Sequence, residues 1–534
     1  MTTPSLVAAA LSAASPSPAL GADASRRLFL RRAGAISLLA GTGAPLALQL
    51  AAAGSAVAAA ADDYRALVCV FLFGGNDAFN MVLPTDAASW QAYTATRTQA
   101  PDPIALLAPG TAPVAGAAAG SPARLGGVLA LHPVAALPGG RSVALHPSLG
   151  PLATMFDTDR RLAVVANIGP LILPTTKAQY AQASHPRPTR LFSHNDQQNT
   201  WQALAPEGAR RGWGGRLGDM LAAANAQPIF TAISPAGNAV WLAGDAVRQY
   251  QVGTTGATRI GTDANGRLFG SADAGAALGR ILGASRSGHL FESDLAAVSQ
   301  RSIDAEVALR TALRPASDAA FGTAPASGSY NPANDPKLQY DNPLTGAKAA
   351  NGLAQQLQVV ARLIDAGQSG AIGARRQVFF VSLGGFDTHD LQNRNQADLM
   401  ARLAQALRYF DTTLGAIGAR NKVTTFTASD FGRTFTSNGD GTDHGWGAHH
   451  FVMGGAVRGG QVAGTLPVLG PKNAANNNFD SSPDQLGNGA LLPSTSVEQL
   501  GATLARWFGL SDSQLGTVFP NLGNFSQRDL GLMA

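Results

Sequence analysis

The chain has 534 residues, 45% of them hydrophobic and only 14% charged, with one cysteine and a formal net charge of +5. That composition describes a large, well-buried body, and it excludes an intrachain disulfide and every cysteine-rich metal or cluster site. Four arginines and one aspartate fall within residues 1–61, so the remainder carries +2, with no Lys/Arg run of the kind that binds nucleic acid.

Residues 1–61 read as an export signal with an N-terminal extension. Low-complexity Ala/Ser/Pro sequence over 1–24 leads into Ser25-Arg26-Arg27-Leu28-Phe29-Leu30. A weakly apolar, Gly/Ala-rich stretch follows over about 33–50, and small residues end it over 51–61. Paired arginines ahead of such a segment, with an Ala-x-Ala end, form the pattern of a twin-arginine signal. The stretch is too poor in Leu, Ile and Val for an ordinary transmembrane helix. Cleavage near Ala60 is therefore expected, an uncleaved anchor being the alternative. The expected destination is the periplasm or the exterior, reached in folded form through the twin-arginine translocase, with no stable membrane span after cleavage.

Residues 62–534 are expected to form one domain. Continuous apolar runs of strand length predict buried parallel strands at 66–73, 377–383 and 423–427. A fourth candidate, 161–168, leads through Gly169 towards Ser193-His194-Asn195-Asp196 and an apparently helical 196–204. Cys69 lies inside the first run and is expected to be a small buried core residue. The stretch 253–329 is rich in Gly, Ala, Ser and Thr, has helical pattern only over 295–313, and reads as an insertion or lid. Leu399, Leu403, Leu407, Phe410 and Leu414 share one helical face. They make a strand–helix–strand unit with parallel strands and a right-handed crossover. An exposed loop is expected over 473–489. The last helix begins near Ser496, with Glu498 or Gln499 completing a capping box and Val497, Leu500, Leu504 and Trp507 as its buried stripe.

Ligands of open α/β sheets bind outside the carboxyl ends of the strands. Here each of three predicted strands is followed within a few residues by an aspartate: Asp77, Asp387 and Asp430. Behind the third comes Asp440-Gly441-Thr442-Asp443-His444-Gly445-Trp446-Gly447-Ala448-His449-His450. Five of nine histidines (194, 389, 444, 449 and 450) lie in these polar motifs. Carboxylates gathered at one sheet edge repel unless solvated or held by a cation. Asp with His is a ligand set for zinc, manganese or a similar divalent ion. Each acid alone also fits an Asx-turn or a helix N-cap, so the joint pattern carries the expectation.

The order Phe-Gly-Gly-Asn-Asp, Ser-His-Asn-Asp, Gly-Gly-Phe-Asp-Thr-His, Ser-Asp-Phe-Gly-Arg and Asp-His-Gly-Trp-Gly resembles the exported bacterial family called domain of unknown function 1501. The resemblance covers essentially all of the chain after the signal. It implies the alkaline phosphatase superfamily and a three-layer α/β/α sandwich with a mostly parallel sheet. Carried over residue by residue, it implies Asp77, Asp387, His389, Asp430 and His444 as ligands of one or two divalent ions (zinc, manganese, magnesium or calcium). Ser193 resembles the nucleophile, with a helix N-cap as its other reading, and Arg433 resembles an oxyanion-neutralising group. Phe431 stands where the superfamily's phosphatases usually have histidine, and the spacing Asp387-x-His389 is short, which points to a single, weakened or lost ion position. Formylglycine sulfatases need a Cys or Ser followed by Pro and Arg at fixed spacing; Cys69 lacks that context and Ser193 is followed by His194 and Asn195, which argues against such an enzyme.

The implied activity is hydrolysis of phosphate or related esters, small or polymeric, by Ser193 or by metal-activated water. The alternative is an exported non-catalytic protein that binds an anion or glycan in the same pocket. A redox enzyme is disfavoured, because the chain has no Cys-x-x-Cys-His and no Gly-x-Gly-x-x-Gly after the first strand.

Overall fold

A computed structural model describes residues 63–534, apart from 100, 258–260, 264, 285–288 and 476–477. The expected signal and its paired arginines lie outside the described residues. Nine strands form one sheet: β1 (Arg65–Phe73), β2 (Leu162–Gly169), β3 (Ala232–Ser234), β4 (Tyr250–Gln251), β5 (Arg376–Gly384), β6 (Val423–Ser429), β7 (Ala448–Gly454), β8 (Val462–Gly464) and β9 (Thr495–Ser496). Their order in space is β8-β2-β7-β6-β1-β5-β3-β4, with β9 also paired to β2. Strand β7 runs against both of its neighbours, and every other pairing is parallel.

The predicted strands match β1, β5, β6 and β2 to within two residues at each end. A continuous apolar run signals a strand covered on both faces, and residues 66–72 of β1 are all buried. On one face Ala66, Val68, Val70 and Leu72 join a core with residues of helices α6 (Gly352–Gln368) and α7 (Gln392–Ala416). On the other, Phe71 of β1 stacks on Phe380 of β5 at 5.9 Å. There Trp213 of helix α3 (Trp213–Leu221) lies 5.4 Å from Phe426 of β6. Helices thus cover both faces of a mostly parallel sheet, an α/β architecture.

Strand β1 inserts between β5 and β6, so the strand–helix–strand unit of β5, α7 and β6 spans a neighbour. Register sets the level of the strand ends: Phe73 lies opposite Gly384, and Leu72 opposite Ser429. The loops that begin at Gly74, Gly385 and Asp430 therefore open side by side.

Two helices begin earlier than apolar periodicity indicates. Helix α7 starts at Gln392 because its first turns carry Gln392 and Gln396, buried but polar. Helix α5 (Leu290–Ala312) follows α4 (Ala272–Leu282) inside the Gly/Ala-rich stretch, and its Leu290, Phe291 and Leu295 stand exposed. Helix α8 (Val497–Phe508) has the predicted capping box, formed by Ser496 and Gln499, and the predicted buried stripe. The stretch 473–489 is less exposed than its composition indicates. Phe479, Ser482, Gln485 and Leu486 are buried, and Lys177 Nζ clamps the carbonyls of Phe479 and Ser482 at 2.7 and 3.0 Å. Cys69 is buried, and burial pushes its thiol well up. Among the described residues no helix is long and apolar enough to cross a membrane.

Candidate functional site

The glycine pair that ends β1 lets three loops close on one another. Gly74 and Gly75 have φ of +115° and +82°, a region that favours glycine. A Cβ on Gly74 would sit 2.4 Å from the Asp387 nitrogen, and one on Gly75 would sit 2.4 Å from the Phe431 ring. With no side chain at either place, the loops after β5 and β6 press directly against the end of β1.

Asp430, fully buried at the end of β6, is spent on orienting its neighbours. Its Oδ1 accepts from Gly74 N at 3.1 Å. Its Oδ2 meets His194 Nδ1 and Gln198 Nε2, both at 2.7 Å. His194 is the first residue of helix α2 (His194–Ala203), and Gln198 lies one turn on along the same face, so one carboxylate grips the helix twice. His194 Nε2 is thereby turned towards Asp387 Oδ2, 3.4 Å away.

The second histidine arrives on a hairpin. An antiparallel bridge pairs Arg433 with His444, and Thr434 N bonds to Asp443 O at 3.0 Å, folding the loop back over the end of β6. His444 Nδ1 lies 2.7 Å from the Phe192 carbonyl. A carbonyl only accepts, so Nδ1 carries the hydrogen and Nε2 is left bare in the neutral ring. That Nε2 is 3.2 Å from Asp387 Oδ1. Phe192 holds its carbonyl there with φ of 75°, a conformation that costs a non-glycine residue roughly 1–2 kcal/mol. Ligand atoms of His194, Asp387 and His444 all lie within 4.8 Å of one another. Among the described residues this is the one group of three or more such side chains close enough together to hold a metal ion. His389 Nε2 joins from the exposed side, 3.0 Å from Asp387 Oδ1 and 3.1 Å from His444 Nε2. Its Nδ1 faces Asp443 Oδ1 at 3.3 Å. The Phe431 ring packs on His194 and His444, with centroids 4.8 and 4.6 Å away.

Of the residues predicted from sequence, the structure brings Asp387, His389 and His444 together and sets Asp430 directly behind them. Asp77 takes a different position. Its carboxylate forms a fully buried two-pronged pair with Arg97 of helix α1 (Ala87–Arg97), at 2.6 and 3.1 Å. It also accepts from Phe79 N at 3.0 Å and Gln392 Nε2 at 2.6 Å. That is a structural anchor with its lone pairs used, not a ligand facing the cluster. Ser193 is the N-cap of α2, and its hydroxyl donates to Asp196 Oδ2 at 2.9 Å rather than to any base. Arg433 is entirely buried and holds the cluster from below. Its guanidinium donates to Asp387 Oδ1 at 2.6 Å, to the Gly74 carbonyl at 3.2 Å, and to both the hydroxyl and the carbonyl of Thr442. So committed, it positions Asp387 and does not reach an oxyanion in the cleft. His194, in the Ser-His-Asn-Asp motif, joins the cluster although the sequence pattern does not single it out from its neighbours. The i,i+4 pair His194 and Gln198 is the signal that marks a shared polar partner.

The electrostatics follow from these contacts. The hydrogen bond to Asp430 holds His194 above the usual histidine range; burial opposes this, and the charges of Asp430 and Asp387 add to it. Burial pushes His444 down, partly offset by the Phe192 carbonyl. Burial alone would raise Asp387, but the Arg433 hydrogen bond and charge, with His389 and His194, hold it below the usual carboxylate value.

Residues 341–519 match the model of a family described as a protein of unknown function, DUF1501. The matched stretch holds Asp387, His389, Asp430, Arg433 and His444 but not β1, Ser193 or His194, so it supports the resemblance over part of the span expected. No curated protein matches the chain.

Proposed function

We propose that the chain is an exported, divalent-metal-dependent hydrolase of phosphate or related esters, with an alkaline phosphatase-like fold and water rather than Ser193 as nucleophile. One observation carries this reading: two imidazoles turn Nε2 towards one carboxylate while each Nδ1 is committed, to Asp430 and to the Phe192 carbonyl. Outer partners of this kind fix the tautomer of a ligating histidine. The Nε2-to-Asp387 separations of 3.2 and 3.4 Å match the edge of a tetrahedral site. That edge is about 3.3 Å for zinc bonds of about 2.0–2.1 Å.

Two imidazoles and a carboxylate favour zinc or manganese, and three protein ligands leave a position open, as catalytic sites do. The chemistry that a divalent ion supplies there is Lewis-acid polarisation of the ester and activation of water. The chain's own residues do the rest. Asp430 keeps His194 in register, and Arg433 fixes the Asp387 carboxylate and balances its charge. His389 is close enough to share the ion or to contact a group bound beside it. Export by the twin-arginine route belongs to the same proposal and rests on Arg26 and Arg27 with the segment behind them.

A second reading, a non-catalytic protein that binds a ligand in the same cleft, is favoured by the commitment of Ser193 to Asp196 and of Arg433 to buried partners. Elemental analysis of protein purified without chelator tests the site. One equivalent of zinc or manganese, lost in His444→Gln, supports it, and a metal-free protein after loading sinks it. Turnover of phosphate and sulfate esters by the loaded protein then separates hydrolase from binder.

A further inference from the structure

Away from the cluster, an open cleft of about 540 Å³ lies beside the far end of α2 and the start of α3, lined by Arg210, Arg211 and Arg216. Helix α2 has ten residues, so its ends are separated by roughly 15 Å of helical rise. His194 is at one end, and Ala203, which lines the cleft, is at the other.

Arg216 is the unusual member. Its side chain is largely out of water, and burial pushes its guanidinium below the usual arginine range. It donates one hydrogen bond, from Nη2 to the Ala203 carbonyl at 3.1 Å. Among the described residues its buried Nε has no partner, and no carboxylate pairs with it. A buried guanidinium nitrogen left without a partner is costly.

The acids nearby do not relieve it. Asp219 spends its carboxylate on the backbone nitrogens of Asp245, Ala246 and Val247, at 2.6 to 3.0 Å. Asp245 pairs with Arg211 at 2.7 Å. Glu498, whose charge acts on Arg216, gives both oxygens to Asn521.

From this we infer that the cleft is a binding site for a tetrahedral oxyanion, phosphate or sulfate, held by Arg216 with Arg210 and Arg211 at the rim. The inference stands apart from the ion-binding reading of the histidine cluster. The same oxyanion chemistry is available as a free ion or as a group carried on a polymer chain. Three guanidiniums line the cleft with two carboxylates, Asp219 and Asp245, which leaves one positive charge in excess, and planar guanidiniums bind such oxygens two at a time.

Calorimetric titration of the chelator-treated full chain with inorganic phosphate, sulfate and dextran sulfate, at constant ionic strength, tests this. Saturable binding is expected, weakened about tenfold or more in Arg216→Gln, because a charge-assisted contact is lost. The exposed double change Arg210→Ala with Arg211→Ala weakens it as well, and it decides the matter where Arg216→Gln does not fold. Tighter binding of dextran sulfate per sulfate group identifies a polymer-borne source, and equal binding a free ion. Binding that persists in His444→Gln belongs to the cleft. Absence of binding, affinity unchanged in both arginine variants, or loss in His444→Gln overturns the inference.

Discussion

Asp77 and Asp387 follow parallel strands in similar glycine-rich loops, and Asp77→Ala separates the anchor from the ligand. The substitution removes the carboxylate that holds Arg97, both side chains being fully buried. Breaking a buried pair on one side leaves an unpaired charge and costs about 3–5 kcal/mol. The unfolding entropy, ~2.1 cal/mol/K per residue over roughly 470 residues, comes to about 1 kcal/mol/K. The melting temperature should therefore fall by about 3–5 °C. Because Asp77 contacts no group of the cluster, the drop should be equal in the metal-free and metal-loaded forms, with metal content unchanged. Differential scanning calorimetry paired with elemental analysis of the same samples reads both quantities. A drop confined to the loaded form, with metal lost, would make Asp77 a ligand and refute the assignment of its carboxylate to Arg97.

Replacing Asp430 by Ala removes the acceptor that fixes His194, and metal affinity should weaken by about 10–100-fold; unchanged affinity in a competitive chelator titration would show that His194 needs no such support. Changing Ser193 to Ala should leave metal content and any ester turnover intact, since its hydroxyl is bonded to Asp196; abolished turnover with metal retained would restore it as nucleophile. Acid should destabilise the fold through His146, His449 and His450, which burial pushes down to about 3, 4 and 3. Their stabilisation is fully present above the unfolded value near 6.5 and is lost as pH falls towards these folded values. At pH 5 each histidine accounts for about 2 kcal/mol and the three for about 6, so the melting temperature should drop markedly between pH 7 and 5. A flat profile in buffered melts over that range would mean that these rings are not held neutral.

The amino-acid sequence by itself determined the elements whose signal is local. Buried strands 65–73, 376–384 and 423–429 announce themselves as runs poor in charge and rich in apolar residues, because a strand covered on both faces holds few polar positions, and those it holds, such as Thr424, Thr425 and Thr427, are small and buried. The capping box at Ser496 and Gln499 is equally legible, since both partners lie within one helical turn. The sequence also marked the loops that carry chemistry, but not which of their side chains meet. Asp77, Asp387 and Asp430 each follow a strand, and nothing in the local pattern tells an acid facing the cleft from one facing the interior. That was decided by Arg97, twenty residues away on α1, which drew Asp77 inward. It was decided equally by the insertion of β1 between β5 and β6, which brought the loops of Asp387 and Asp430 to either side of Gly74. His194 and Ser193 are adjacent in sequence. The pitch of α2 and the grip of Asp430 turned the histidine towards Asp387 and left the serine on Asp196. Side-chain direction at a loop depends on partners distant in sequence, so it exists only once the sheet has assembled.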